Sequence, residues 1–195
     1  MQATRDWFYA NWMHAGFVAG LFLIAMLPLL AGAFDLAFLL VYLQLPIYML
    51  HQLEEHQGDR FRRFVNTTVA GGRDALTTPA VVIINVPLVW GVDLAAIYLA
   101  RFVDIGLGLI AVYLTLVNGI VHIAAGLALR AYNPGLVTGV VLFLPASIWA
   151  LVTVSAMPGV GVPDHALGLA LAVLVHIGII VYVRRRTLEL SPRPA

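Results

Sequence analysis

The sequence predicts an all-α fold, a polytopic membrane helix bundle with six transmembrane helices in one domain that covers residues 1–195. Three observations lead to this prediction. Hydrophobic residues form 62% of the chain and charged residues 11%, whereas soluble domains carry about 45–50% and about 25%. Six apolar stretches each approach the roughly 20 residues that a helix needs to cross the hydrocarbon core. All eleven basic residues are arginine, and nearly all of them fall on one side of the resulting topology.

The six predicted spans follow one another with short connections. They cover residues 12–30, 36–56, 79–100, 103–130, 134–156 and 165–183. Thr78-Pro79 and Asn133-Pro134 each indicate a helix N-cap followed by a proline at the first helical position. The first stretch also has features of a signal peptide, but its length and the aromatic residues before it favour a transmembrane helix.

The arginines predict the orientation of the bundle. With six spans, the two termini, the 57–78 segment and the 130–133 turn share one side, which holds ten arginines, whereas the other side holds only Arg101. The positive-inside rule then predicts an integral protein of the cell membrane with both termini in the cytoplasm. Within the 57–78 segment, an apolar face of Phe61, Phe64 and Val65 predicts a short amphipathic helix, as a surface anchor or, less favoured, as a lid over a site.

The remaining acidic residues have ordinary structural interpretations. We expect Asp59 and Asp74 to form salt bridges in the 57–78 segment. We expect Asp93, in the outer part of the third span, to pair with Arg101. These residues are therefore not part of the predicted site.

The candidate site begins at the end of the second span, in the sequence His51-Gln-Leu-Glu54-Glu55-His56. At 100° per residue, His51, Glu54 and Glu55 fall within an arc of about 100° on one helix face, whereas His56 points away from His51. Ionisable groups inside a membrane are costly, and two adjacent carboxylates repel each other without a cation or proton between them. The motif therefore predicts a functional site in which Glu54 and Glu55 are ligands or one of them is a catalytic base.

Three further histidines reach the same depth on other helices. His14, His51, His122 and His176 each lie eight or nine residues from an arginine at the predicted cytoplasmic end of their span. At 1.5 Å per residue, this places all four histidines roughly 12–14 Å from those arginines. The sequence therefore predicts that four histidines on four helices share one plane in the cytoplasmic half of the membrane.

This collection of side chains favours a divalent metal, either zinc or iron, because imidazole and carboxylate are standard ligands of both. The predicted ligands are His14, His51, Glu54, Glu55, His122 and His176. Four histidines and two glutamates exceed what one ion needs, so the composition favours a dinuclear site of the kind built in helix bundles. Asn85, Asn118 and His56 are predicted to orient ligands or a substrate. The chain contains no cysteine, which excludes thiolate sites.

Three blocks of the sequence resemble a known family. The motif His51-Gln-Leu-Glu54-Glu55 resembles the defining motif of the HXXEE membrane proteins. The sequences 118–122 (Asn-Gly-Ile-Val-His) and 132–136 (Tyr-Asn-Pro-Gly-Leu) look like later blocks of that family, and the resemblance spans about residues 45–140. It implies a small integral membrane domain in which the motif, Asn118 and His122 matter, and it implies no substrate.

The favoured function is a metal-dependent membrane enzyme that acts on a membrane lipid or small apolar substrate by oxidation or hydrolysis. A proton or metal-ion transporter is the alternative, since titratable residues in membranes often mark ion pathways. Against it, the polar residues stop at one depth, and the outer half offers little besides Asp93. A structural subunit with a hydrogen-bonded polar core is a third possibility. No basic face is large enough to predict a nucleic-acid partner, and the sequence predicts no oligomeric state.

Overall fold

The computed structural model describes residues 2–191 and is 84% helical, with no strand in that range. It contains six helices that are long and apolar enough to cross a membrane, as predicted. We number the helices in chain order and include a short surface helix, α3, between the second and third spans. Their bounds are α1 Gln2–Leu30, α2 Leu36–His56, α3 Arg60–Phe64, α4 Thr78–Phe102, α5 Ile105–Leu129, α6 Leu136–Ser155 and α7 Val162–Glu189.

The two terminal spans are longer than predicted. Helix α1 begins at Gln2 rather than near residue 12, and α7 continues to Glu189 rather than ending near residue 183. In both cases polar residues extend the helix beyond its apolar part. Hydropathy therefore located the spans but not their polar ends. The side of the membrane on which the termini lie stays a prediction.

Helix α2 lies at the centre of the bundle and packs against α1, α4, α5 and α6. Of its most apolar window 67% is buried, compared with 17% for α1 and 22% for α7. Helix α5 is the second central element and packs against α2, α4, α6 and α7. The central helices thus have an inward face that can carry polar side chains, whereas the peripheral helices are apolar over most of their exposed surface.

The predicted helix starts at the two proline dipeptides need correction. At the start of α4 the capping residue is Thr77 rather than Thr78, and its side chain accepts a hydrogen bond from the Ala80 N–H. At the start of α6 the N-cap residue is Gly135, which has no side chain to cap with. Asn133 is instead used inside the bundle, as described below.

The 57–78 segment forms the predicted amphipathic helix as α3, followed by one wide turn at Val65–Val69. Arg62 joins Asp59 and Asp74, each at 2.6 Å, so the predicted ion pairs of these two acids are confirmed. The predicted pair of Asp93 with Arg101 is wrong. Asp93 is fully buried inside the bundle, and Arg101 lies over the ring of Phe34.

Candidate metal centre

Three buried side chains from α2 and α5 converge inside the bundle. Glu55 Oε2 lies 3.5 Å from His51 Nε2, and Glu55 Oε1 lies 3.6 Å from His122 Nε2. One ligand atom from each residue lies within 4.8 Å of the others, and the three side chains are almost fully buried. These three residues, which we call the His/Glu group, are the centre of the candidate site.

The backbone explains why these side chains meet. His51 and Glu55 are four residues apart and so share one face of α2, and the ring centroids of His51 and His122 are 5.1 Å apart. Gly135 closes the group on one side with a φ of +98°. A Cβ there would lie 2.6 Å from His122 Cε1 and 2.8 Å from His51 Cε1, so only glycine leaves room for both rings.

Thr138 fixes the protonation of His51. The Thr138 hydroxyl donates to the carboxylate of Glu54 and lies 2.7 Å from His51 Nδ1. A hydroxyl has one proton to donate, so His51 must donate its Nδ1–H to the threonine oxygen. In neutral His51 the lone pair is therefore on Nε2, the atom that faces Glu55.

Asn133 fixes the protonation of His122 in the same way. Its side-chain amide nitrogen donates to the backbone carbonyl of His122 at 2.9 Å, so its oxygen faces His122 Nδ1 at 2.8 Å as an acceptor. His122 consequently donates Nδ1–H, and its Nε2 also presents a lone pair toward Glu55.

The His/Glu group thus directs two imidazole lone pairs and one carboxylate at the same space. No hydrogen bond satisfies His51 Nε2, although this atom is buried. Three such electron-rich groups repel one another unless a cation or a proton lies between them. Ligands of a tetrahedral zinc ion at about 2.1 Å would stand about 3.4 Å apart, close to the two observed separations. Two histidines and one carboxylate are also the ligands of many catalytic zinc and non-haem iron sites.

Glu54 lies outside the His/Glu group. Its carboxylate accepts hydrogen bonds from the backbone N–H of Val137 and Thr138 at 3.2 and 2.7 Å, and from the hydroxyls of Thr138 and Tyr132. Partial burial and the adjacent carboxylate raise the pKa of Tyr132, so its hydroxyl remains a donor. Glu54 therefore caps the N-terminus of α6 from a neighbouring helix, a favourable position for a negative charge.

The other predicted residues occupy three kinds of position. His56 is buried, with Nε2 3.1 Å from Glu55 Oε2. Asn85, Asn118 and His176 line a cavity beside the His/Glu group. His14 is exposed on α1 and does not line that cavity. The equal depth of the four histidines therefore did not bring all four together, because depth does not determine which way a side chain points around its helix.

Sequence reasoning missed Asn133, Gly135 and Thr138 as parts of the site. The only available indication was the family-like block at residues 132–136, which was interpreted as a helix start. These residues reach the group because α6 packs against α2, a contact between positions more than 80 residues apart. No local pattern could have revealed it.

A largely apolar cavity of about 460 Å³ adjoins the His/Glu group. Glu55 and His122 form part of its wall, and Phe61, Phe64 and Val65 of the predicted amphipathic face cover another part. Ile180 lies at its edge and is 61% exposed, and Arg184 and Thr187 follow on α7. The volume is in the range of small-molecule sites, and the lining suits an apolar ligand.

Comparison with known proteins identifies one family. The family described as "Protein of unknown function with HXXEE motif" matches residues 42–150, more than half of the chain. No curated protein and no solved structure matches the chain. The matched range includes His51, Glu55 and His122 together with Asn133 and Thr138, and therefore all the side chains that form or orient the group. The chain belongs to the HXXEE-motif family.

Proposed function

We propose that this protein is a metal-dependent integral membrane enzyme that acts on a lipid-like or apolar substrate. One divalent ion, zinc or iron, would be held by His51 Nε2, His122 Nε2 and the carboxylate of Glu55. The supporting observation is that two histidines with fixed tautomers direct their lone pairs at a buried carboxylate, with no hydrogen bond to satisfy His51 Nε2. A cation offsets the electrostatic cost of this arrangement inside the membrane.

The placement of the ligands supports one ion rather than the dinuclear site predicted from composition. Glu54 is occupied by the start of α6, and His14 is exposed. His176 lines the cavity but bonds its own helix, donating Nδ1–H to the Ala172 carbonyl at 2.8 Å. Three protein ligands around one ion leave a coordination position for water or substrate, as in catalytic sites.

The ion would supply Lewis-acid or redox chemistry at the end of the cavity, depending on its identity. The chain contributes the remaining parts. His176 presents an unprotonated Nε2 to the cavity when neutral, which makes it our candidate for the group that accepts a proton from substrate or water. Asn118 has a side-chain oxygen with no partner and can position a donor group of the substrate.

The cavity supports the proposed substrate class. Its walls are formed mainly by valine, isoleucine, leucine and phenylalanine, and its edge includes side chains of α7 that are exposed on the apolar surface of the bundle. A hydrocarbon chain can enter such a cavity sideways from the membrane. Arg184 and Thr187 lie about two to three turns beyond His176 on the same helix and offer donors for a polar head group.

Metal analysis of the untagged protein tests the proposal. We expect about one zinc or iron per chain in the purified wild type, and loss of that metal in Glu55→Gln and His122→Ala. His14→Ala is the matched control, because it removes an exposed histidine and should leave the metal content unchanged. Zinc would direct the search for a substrate toward hydrolysis, and iron toward oxidation.

A metal-free wild type that stays metal-free after incubation with zinc or ferrous iron would contradict the proposal. If Glu55→Gln and His122→Ala also kept their thermal stability, the His/Glu group would be a hydrogen-bonded structural core. Metal that remains bound in both variants would place the ion elsewhere in the protein.

A further inference from the structure

A second buried polar layer lies deeper in the bundle and is separate from the His/Glu group. Gln44 of α2, Asp93 of α4 and Thr115 of α5 are each 0% exposed. Four of their oxygens have no hydrogen-bond partner: Gln44 Oε1, both oxygens of Asp93 and Thr115 Oγ1. Buried polar groups are almost always satisfied, so four unsatisfied atoms on three residues call for an explanation.

Helix register places the three residues at one depth. Gln44 and Thr115 each lie seven residues before a histidine of the His/Glu group, His51 and His122, on helices that run in the same direction. Gln52 of α2 donates a hydrogen bond to Asn85 of α4, so these two residues lie at one depth. Gln44 lies eight residues before Gln52, and Asp93 lies eight residues after Asn85 on a helix that runs in the opposite direction. Asp93 is therefore at the depth of Gln44. The three helices pack against one another. Along the helix axes, seven or eight residues correspond to about 10–12 Å, so the three residues lie that far from the depth of the His/Glu group, toward the other face of the membrane.

Asp93 is the titratable member of this layer. The amide nitrogen of Gln44 donates to the Leu40 carbonyl at 2.8 Å, whereas its oxygen accepts no hydrogen bond. An ionised Asp93 would add two more acceptors and an unpaired charge inside the membrane. A single proton on Asp93 removes this charge and leaves a carboxyl group, which costs far less to bury than a carboxylate. A hard cation such as Ca²⁺ takes six to eight oxygens, more than this layer offers.

We propose that Asp93, at the depth of Gln44 and Thr115, is an intramembrane proton-binding site that exchanges its proton with the cavity. Asn118, whose side-chain oxygen is unpartnered, lies one turn from both Thr115 and His122 and lines the cavity. Tyr48 lies one turn from Gln44, also lines the cavity, and is the nearest titratable group on α2. On α5, the nearby titratable side chain of Tyr113 bonds His165 instead.

This layer changes one expectation from the sequence. The polar residues do not stop at one depth, because Gln44, Asp93 and Thr115 are buried at a second depth. In the sequence these three residues look like isolated polar residues. The proton site does not depend on the proposed metal. It does remove the main argument against a proton-transporting role, and the two proposals can fail separately.

Infrared spectroscopy of the full chain in lipid tests the proton. At neutral pH we expect the C=O stretching band of a protonated carboxyl group, shifted in D₂O and lost in Asp93→Asn. Asp6→Asn, which changes an exposed acid, should keep the band. A wild-type spectrum without this band would overturn the proposal whether or not the variant folds. Loss of the band on addition of sodium chloride would also overturn it, in favour of a sodium site.

The rate of hydrogen–deuterium exchange at Asp93 tests whether its proton exchanges through the cavity. We expect the Asp93 carboxyl to exchange about tenfold more slowly in Asn118→Leu, the effect of losing one hydrogen-bonded step from the path. Ile120→Leu changes a residue of the same helix that is 50% exposed and should exchange at the wild-type rate. An unchanged rate in Asn118→Leu would refute exchange through the cavity.

Discussion

Replacing Gly135 by alanine should weaken metal binding much more than the strain that it adds to the backbone would by itself. A Cβ at this position would lie 2.6 Å from His122 Cε1, whereas ordinary contacts of a Cβ begin at 3.4 Å. The imidazole would have to move by about 0.8 Å, several times the roughly 0.2 Å tolerance of metal–ligand distances. We therefore expect Gly135→Ala to lower the affinity for zinc or iron by at least about 10–100-fold, the scale seen when a ligand loses its orientation.

The chain offers a matched control for the backbone. Gly159 has a similar φ of +89°, but a Cβ there meets no atom within 4 Å. Alanine at either position should lose about 1–2 kcal/mol of folding free energy because of the positive φ. Gly159→Ala should keep the full metal affinity, so the difference between the two variants isolates the displacement of the rings.

The assay is competition for the metal with a chromophoric chelator, accompanied by thermal unfolding of the same samples. In the metal-free state Gly135→Ala should lose more stability than Gly159→Ala, because overlap with two rings adds to the cost of the positive φ. If both variants also bind metal with wild-type affinity, the two imidazoles next to Gly135 are not the ligands, and the proposed centre is refuted.

Three further predictions follow from the same contacts. Glu54→Gln should lower the free energy of unfolding by about 1–2 kcal/mol, measured by thermal unfolding, because Glu54 caps α6. The metal should stay bound, and a loss of metal equal to that in Glu55→Gln would contradict the separate roles of the two glutamates. Thr138→Val should lower the metal affinity by about 10–100-fold, because His51 loses the acceptor that fixes its tautomer, and Thr138→Ser should restore it in the same competition assay. Ala125→Phe should fill the cavity and reduce the lipid that copurifies with the protein, measured by mass spectrometry of extracts, whereas the adjacent, exposed Ala124→Phe should not.

The fold could be predicted because its main determinants are local. The length and composition of each apolar stretch predict a span, and the six spans were found near their predicted positions. The errors fall at helix ends. Thr77 rather than Thr78 caps α4, and α7 continues through Arg184 to Glu189, because hydropathy does not report where a polar end stops being helical.

The site could be predicted only in part because it depends on the direction of each side chain around its helix. His14 and His51 have equivalent depths, but one is exposed and the other fully buried. An arc of about 100° on α2 seemed to place Glu54 and Glu55 together. In the structure, Glu54 contacts α6 and Glu55 contacts α5, because two different helices pack against the two sides of that arc.

This division explains why a membrane helix can carry two adjacent carboxylates. Glu55 faces the two histidines, where a cation would neutralise it. Glu54 is stabilised without a cation, by four hydrogen bonds at the start of α6. The Thr138 hydroxyl connects the two functions, because it donates to Glu54 and for that reason must accept from His51. By accepting the hydrogen bond from Thr138, Glu54 thus determines which nitrogen of His51 presents a lone pair to the proposed ion. The histidine and both glutamates of the motif would thus act as one unit, in which Glu55 binds the proposed ion and Glu54 orients His51 through Thr138.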